Sequence, residues 1–530
     1  MAGSSRGPYE RTALLAFFLA LAILHTWPLA SAPHRLSLNH NADAQLNAWI
    51  VSWIAHVVPT DPTQFWQGNI FQPGEAALTF SEPLIVPAIV GAPILWMGGS
   101  AVLMFNLLLL AGLTASGYAA YRVLLRWTGS PGAALVAGTL FTFNAHLLTR
   151  LPHLQAAHAW GLWLIWGATF ELLHGRGRWW HLSVAVLLTA ATSLHWLLFG
   201  IVGAAIMGVV VWPGVARLGL VAAAGAFGLF AALPTLWPHI TNGVTRPLEQ
   251  VADFSATAAG YVTSLSHLHR GWSASWFVAD TNVWFPGVVA IGLAGVGLVA
   301  RWRDSVAVRW AVVMLVVGFV LSLGTTTPVY AWLYHAFPPL QGIRAASRFG
   351  MLALTAIACL AGFGTAWMLS RLKQSRRLVV VTTVLVAATA EQWLAPIHTT
   401  PFGGVPSVYQ LVRDEPGPVL LAEMPFYPPD AVFENGEYVL NATLHWRPVI
   451  NGYSGVTPMS YRTRAESLWY FPEVRALDEL ARSGATHVMV HLERFGSDAA
   501  TVADALQGHP DLRLLAADRD GHRLYRFIRE

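Results

Sequence analysis

Two carboxylates, two arginines and a small set of histidine and amide side chains carry the chemistry open to this sequence. Asp43 stands in Asn41-Ala42-Asp43, just ahead of the apolar segment 44–58. A carboxylate there either caps the exposed N–H groups of a helix or serves as a base toward a bound hydroxyl. Glu82 precedes Pro83, and a proline holds the preceding residue outside the α region. Set against an apolar wall, a carboxyl at that position suits acid–base or ligand work; in solvent it is an ordinary loop glutamate. Arg344 and Arg348 lie four apart before an apolar run, a spacing that places both on one face of a helix end. Arginines there either grip a phosphate bidentately or snorkel to lipid headgroups. His153, Gln155 and His195 add hydrogen-bonding groups. His153 and His158 are five apart, a poor match to the four-residue spacing of paired helical metal ligands.

These residues sit in a chain built for a bilayer. Of 530 residues, 55% are hydrophobic and 11% charged, with 24 tryptophans. A typical soluble domain carries roughly 25% charged residues. The composition excludes a soluble multidomain enzyme, a disordered chain and a nucleic-acid binder. The only cysteine is Cys359, which excludes a disulfide scaffold. The net charge of +4 reads as arginines kept in cytoplasmic loops rather than as a sign of a polyanionic partner.

Crossing the hydrocarbon core takes about 20 apolar residues. Eleven segments qualify: 12–31, 101–122, 132–149, 156–173, 181–195, 197–213, 215–236, 284–300, 306–323, 349–370 and 378–395. With the N-terminus inside, the cytoplasmic ends hold thirteen Arg and Lys, Arg6 among them, against six in the longer outside loops. That asymmetry orients the chain and leaves its C-terminus outside. Residues 83–98 are apolar but interrupted by Pro83, Pro87 and Pro93, and they read as a re-entrant or interfacial segment.

The acids divide the chain. Residues 396–530 hold 17 of the 28 Asp and Glu, and eleven remain for the first 395 residues. The division is a membrane domain over 1–396 and an outer α/β domain over 397–530. Four of the eleven acids (Asp43, Asp61, Glu75 and Glu82) fall in one long outside loop, 32–100. Within it, Leu46, Trp49, Ile50, Trp53 and Ile54 share a helical face, which predicts a helix lying in the membrane interface. In the outer domain, Val419–Ala422 and His487–Val490 predict buried strands. Val474–Arg482 predicts a helix stopped by Gly484, and Leu512–Ala516 with His522–Phe527 predict a hairpin.

The arrangement resembles the GT-C superfamily of polytopic glycosyltransferases. The resemblance rests on Asn41-Ala42-Asp43 after the first span, Gly98–Ser100, and Tyr121-Arg122 ahead of Gly129. Arg344–Phe349, Pro418–Pro425, His445–Gly455 and Phe471–His491 look closest to the bacterial YfhO-like branch. It implies a mostly α membrane fold of about eleven spans with a C-terminal outer α/β domain, in a bacterial cytoplasmic membrane. The implied activity is inverting transfer of a sugar from a polyprenyl-phosphate donor to a glycan, lipid or protein acceptor on the outer face. Asp43 is then the first choice for the base and Glu82 the second. Arg344, Arg348, His153, Gln155 and His195 become the set that binds the lipid phosphate and the sugar. No paired Asp-Glu follows the first span, and His153-Leu154-Gln155 stands where the family has an acid. No cofactor is therefore expected, and a divalent metal in this chemistry is in question. Two other functions suit the same fold: a transporter of lipid-linked sugars, or a non-catalytic envelope-assembly protein.

Overall fold

A computed structural model describes residues 8–243 and 245–528; Arg6 lies outside them. Each of the eleven expected spans contains a helix. Among the described residues, three helices are long and apolar enough to cross a membrane: Ala101–Thr128, Leu194–Val211 and Ala346–Ser370. Val215–Ala231 and Leu233–Thr241 make a fourth if their 71° bend is counted within one span. Pro131–Thr142 and Trp179–Ala190 are 12 residues each. At 1.5 Å per residue these reach about 18 Å, short of the roughly 30 Å core. Apolar length in the sequence therefore overstates helical length, because caps such as Asn144 and Ser193 begin new helices inside apolar runs.

The chain forms two compact units. One runs up to Ser31 and resumes over Leu108–Ile397; the other joins Ala32–Leu107 to His398–Glu530. The long loop thus groups with the C-terminal segment rather than with the spans, unlike the expected 1–396 and 397–530 division. The reason is main-chain pairing. Leu36–Ser37 forms a short antiparallel ladder with Thr400–Pro401. Phe71 N donates to Asn451 O, and Val449 N to Asn69 O, at 2.9 and 2.8 Å.

In the first unit the core is the helix Gly350–Ser370, buried along most of its length. The helices Pro131–Thr142, Val288–Arg301 and Val306–Ser322 pack around it. Its closest approach is to Val288–Arg301, through Gly297 and Gly364. A methyl at Gly364 would lie 2.0 Å from Leu293 O, and one at Gly297 2.0 Å from Leu360 O. Small residues at this crossing let two backbones touch where apolar burial drives nothing.

In the second unit, the helix Ala42–Thr60 is buried on nearly every side. The expectation of an interfacial helix is corrected: Ile85–Trp96 and Gly436–His445 both pack against it. Its indoles are satisfied internally, Trp49 Nε1 by Asn69 Oδ1 at 2.8 Å and Trp53 Nε1 by Phe65 O at 3.1 Å. The exposed apolar face belongs instead to Ile85–Trp96, with Ile89, Val90, Trp96 and Met97 outward. That pattern fits the interfacial reading of 83–98. The C-terminal sheet is mixed. Leu421–Met424 runs parallel to His487–His491, which is antiparallel to His522–Phe527, itself paired with Leu512–Ala517. The first strand begins two residues later than expected, and the Val474–Ser483 helix ends on Gly484 at φ +76°.

Candidate functional site

Asp43 lies in the first turn of Ala42–Thr60, but the cap is Asn41, whose Oδ1 accepts from Asp43 N at 2.9 Å. The cap hydrogen bond is thus made by the Asn41 side chain. Asp43 Oδ1 accepts from the Tyr453 hydroxyl at 2.9 Å, within the same unit. Asn47 Nδ2 donates to Asp43 O at 2.6 Å and braces the turn. Glu82 is 6% exposed, so the solvated-loop alternative is excluded. It is followed two residues on by Leu84 at φ +49°, a conformation that bulky residues adopt only under tertiary constraint. Glu75 accepts from Ser460 Oγ at 2.5 Å.

The cationic residues lie in the other unit. Arg348 directly precedes the central helix, and its guanidinium donates to the His195 ring. His195 is in the first turn of Leu194–Val211, which Ser193 caps through its hydroxyl to Trp196 N at 3.3 Å. Two helix N-termini therefore meet at Arg348 and His195, and each adds the positive end of its dipole. Trp196 Nε1 donates to Gln155 O at 2.7 Å, which ties the 153–158 turn to the same place. The Gln155 side-chain oxygen is buried with no hydrogen-bond partner among the described residues. Arg150, His153 and Arg348 are charged neighbours of the buried His146.

Arg344 is elsewhere. The helix starts only at Gly350, and Ala345 is extended, so the four-residue spacing does not share a helical face. Arg344 lies over the Phe254 ring at 4.5 Å, and its charge together with burial lowers the pKa of Arg246. Of the expected phosphate set, Arg348, His195 and Gln155 are brought together; Arg344 has a different neighbourhood.

Glu391 is removed from the candidate bases by its partners. Its carboxylate accepts from Val288 N and Val289 N, the start of a helix, and from His269 Nε2 at 2.9 Å. It is a buried cap. An apolar groove of about 850 Å³, lined by Phe17, Leu21, Leu24, Leu385, Val386 and Trp393 among others, contains none of the predicted residues. Its lining suits a hydrocarbon chain.

Sequence reasoning missed a buried polar cluster in the C-terminal sheet. Glu423 and His491 end adjacent strands at 0% and 1% exposure. Tyr409 Oη donates to Glu423 Oε1 and Oε2 at 3.0 and 2.9 Å, and His491 Nε2 is 2.7 Å from Glu423 Oε2. Asn451 bridges to the backbone of Glu423 at 2.8 and 2.9 Å. Burial pushes Glu423 up to about 8 and His491 down to about 3. The signal was present in the sequence: Leu-Leu-Ala-Glu and His-Val-Met-Val-His put a titratable group inside a fully apolar strand.

The donor sets bear on a metal. Two groups of three His, Asp or Glu among the described residues are spaced to hold an ion, and neither includes Asp43 or Glu82.

No protein-family model matches the sequence, and neither does any curated protein. Solved structures do match. The mycobacterial arabinofuranosyltransferase AftD aligns with 99% of this chain at TM-score 0.62 and 13% identity. The chain spans 40% of the length of that protein. ArnT from Cupriavidus metallidurans aligns over 98% of both chains, at TM-score 0.51 and 13% identity in the apo state. Bound to undecaprenyl phosphate it aligns at 0.52 and 12%. End-to-end superposition on ArnT, together with the alignment to AftD, shows that the chain shares the fold of these structures.

Proposed function

We propose that the chain transfers a sugar from a polyprenyl-phosphate donor to a hydroxyl-bearing acceptor at the outer face of a bacterial cytoplasmic membrane. The observation that carries the reading is the Asp43 carboxylate, held by the Tyr453 hydroxyl in the first turn of a helix that Asn41 caps, in a fold that aligns with ArnT over 98% of both chains. The ArnT structure contains undecaprenyl phosphate. In this reading Asp43 takes the proton of the acceptor hydroxyl as its oxygen bonds to the anomeric carbon. The bond from that carbon to the phosphate oxygen breaks, and the electron pair leaves with the phosphate. In the other unit, Arg348 and His195, with the positive helix ends beside them, are the groups suited to bind a phosphate. Gln155 Oε1 accepts from a sugar hydroxyl, which satisfies an otherwise orphaned buried oxygen. Tyr453 holds the base in place. Glu82 is the second candidate base.

The test is transfer itself. Protein reconstituted in liposomes with radiolabelled polyprenyl-phosphate sugars and a panel of glycan and lipid acceptors is expected to release polyprenyl phosphate in step with labelled product. Movement of the intact labelled lipid between leaflets without release would establish a transporter instead. Arg348→Ala is expected to lower kcat/KM by about 10²-fold, and Arg348→Lys to recover little of it, because an ammonium cannot offer the planar donor fork. Unchanged kcat/KM in Arg348→Ala would remove this arginine from the site.

A further inference from the structure

His491 and His522 are directly opposed in the antiparallel pairing of their strands. Opposed residues carry their side chains on one face, with Cβ atoms about 5 Å apart. The two imidazoles meet edge to face with centroids 4.9 Å apart. Glu493, two residues past His491, brings its Oε1 within 3.8 Å of His522 Nε2. One ligand atom from each of His491, Glu493 and His522 lies within 4.8 Å of the other two. Tetrahedral ligands at 2.0–2.1 Å from an ion are about 3.3 Å apart, so the set needs only a small closure. Glu493 is half-exposed and free to supply it.

The outer partners point the same way. His491 is 1% exposed, its Nε2 is held by Glu423, and its Nδ1 has no hydrogen-bond partner among the described residues. His522 is 6% exposed, and its Nδ1 is held by Asp518 Oδ2 at 2.9 Å. Each histidine thus has one nitrogen on a carboxylate and the other left toward a ligand. Metal-binding histidines have this arrangement, since the carboxylate fixes tautomer and ring orientation and raises ligand basicity. The one cation nearby, Arg494, is paired with Glu437.

We propose that His491, Glu493 and His522 form a binding site for a divalent transition-metal ion of the zinc class, with Glu423 and Asp518 as the groups that orient the two histidines. Two nitrogens and one carboxylate suit zinc over calcium or magnesium, which take oxygen ligands. The ion would tie the His487–His491 strand to the hairpin strand and to the loop that follows His491. Asp518, Asp520 and His522 make a competing set that shares His522. It offers no buried nitrogen besides His522, and Asp518 Oδ1 already accepts from Asp520 N and His522 N.

The test uses untagged full-length protein in detergent, stripped with chelator and titrated with zinc chloride against a competing dye. One saturable equivalent per chain is expected, with a rise in thermal midpoint on loading. His522→Gln and Glu493→Gln are each expected to weaken binding at least tenfold and to abolish the rise. Asp518→Asn is expected to weaken binding by roughly 10–100-fold, and Asp520→Asn to leave it unchanged. Absence of a saturable equivalent overturns the proposal, as does equal affinity in both His522→Gln and Glu493→Gln. Loss in Asp520→Asn with none in Glu493→Gln overturns it in favour of the competing set. Glu493 is half-exposed, so its variant folds even where substitution of a buried histidine would not.

Discussion

Asp43→Asn is expected to lower kcat for sugar transfer by about 10³-fold, within the range lost when a positioned base is removed. Donor KM should change little, because asparagine keeps the size and hydrogen-bonding capacity of the side chain while losing its affinity for a proton. Folding should be unaffected, since the helix is capped by Asn41 and the backbone of Asp43 is held by Asn47. Tyr453→Phe separates positioning from proton transfer. The Tyr453 hydroxyl donates to Asp43 Oδ1, so its loss leaves the base present but less fixed. A fall of about tenfold in kcat is expected, with donor KM unchanged. The measurement is initial-rate transfer in proteoliposomes at saturating acceptor. Full activity in Asp43→Asn would transfer the role of base to Glu82 and make Asp43 a structural residue.

Glu423→Ala is expected to destabilise the unit that contains the C-terminal sheet by about 3–5 kcal/mol, the usual cost of removing one partner from a buried charged or hydrogen-bonded pair. The substitution removes the carboxylate that both the Tyr409 hydroxyl and His491 Nε2 contact, and leaves them only each other and Asn441 Nδ2 at 3.3 Å, without access to water. It also leaves a cavity between strands that are otherwise closely packed. Glu423→Gln should cost less than half as much, since the amide still accepts from Tyr409 and keeps the volume. Tyr409→Phe should cost about 1–3 kcal/mol, as an acceptor is left unsatisfied. Hydrogen exchange in the whole detergent-solubilised protein reads this directly. Amides of Leu421–Met424 and His487–His491 should lose protection in Glu423→Ala, while those of Gly350–Ser370 should not. Equal protection in the wild-type protein and Glu423→Ala would show that the cluster contributes nothing net.

Apolar run length was enough to place a helix in every one of the eleven segments, because hydrocarbon forces internal backbone pairing whatever the neighbours are. Local turn chemistry was equally legible: Gly484 ends its helix in the left-handed conformation, and the hairpin closes around Asp518–Gly521. These features depend on residues close in the chain. Asp43 was legible as a candidate for the same reason, since it follows the first span and precedes a helix.

What the tertiary structure decided was which surfaces meet. Amphipathic spacing alone made Ala42–Thr60 an interfacial helix; two further helices, one of them nearly 400 residues later, cover it and turn it into core. The spacing of Arg344 and Arg348 implied a shared face, but Ala345 is extended and only Arg348 lies in the helical segment, and distant partners separate them: Phe254 for one and His195 for the other. The long loop was assigned to the spans by sequence position, yet its backbone donors find acceptors in the C-terminal segment. His491 and His522 became neighbours only through strand register, which sequence periodicity constrains to a face but not to a partner. Local patterns are encoded within a few residues by sterics and solvent. Pairings between residues hundreds apart are set by packing of the whole, and there both the candidate chemistry and the metal site were decided.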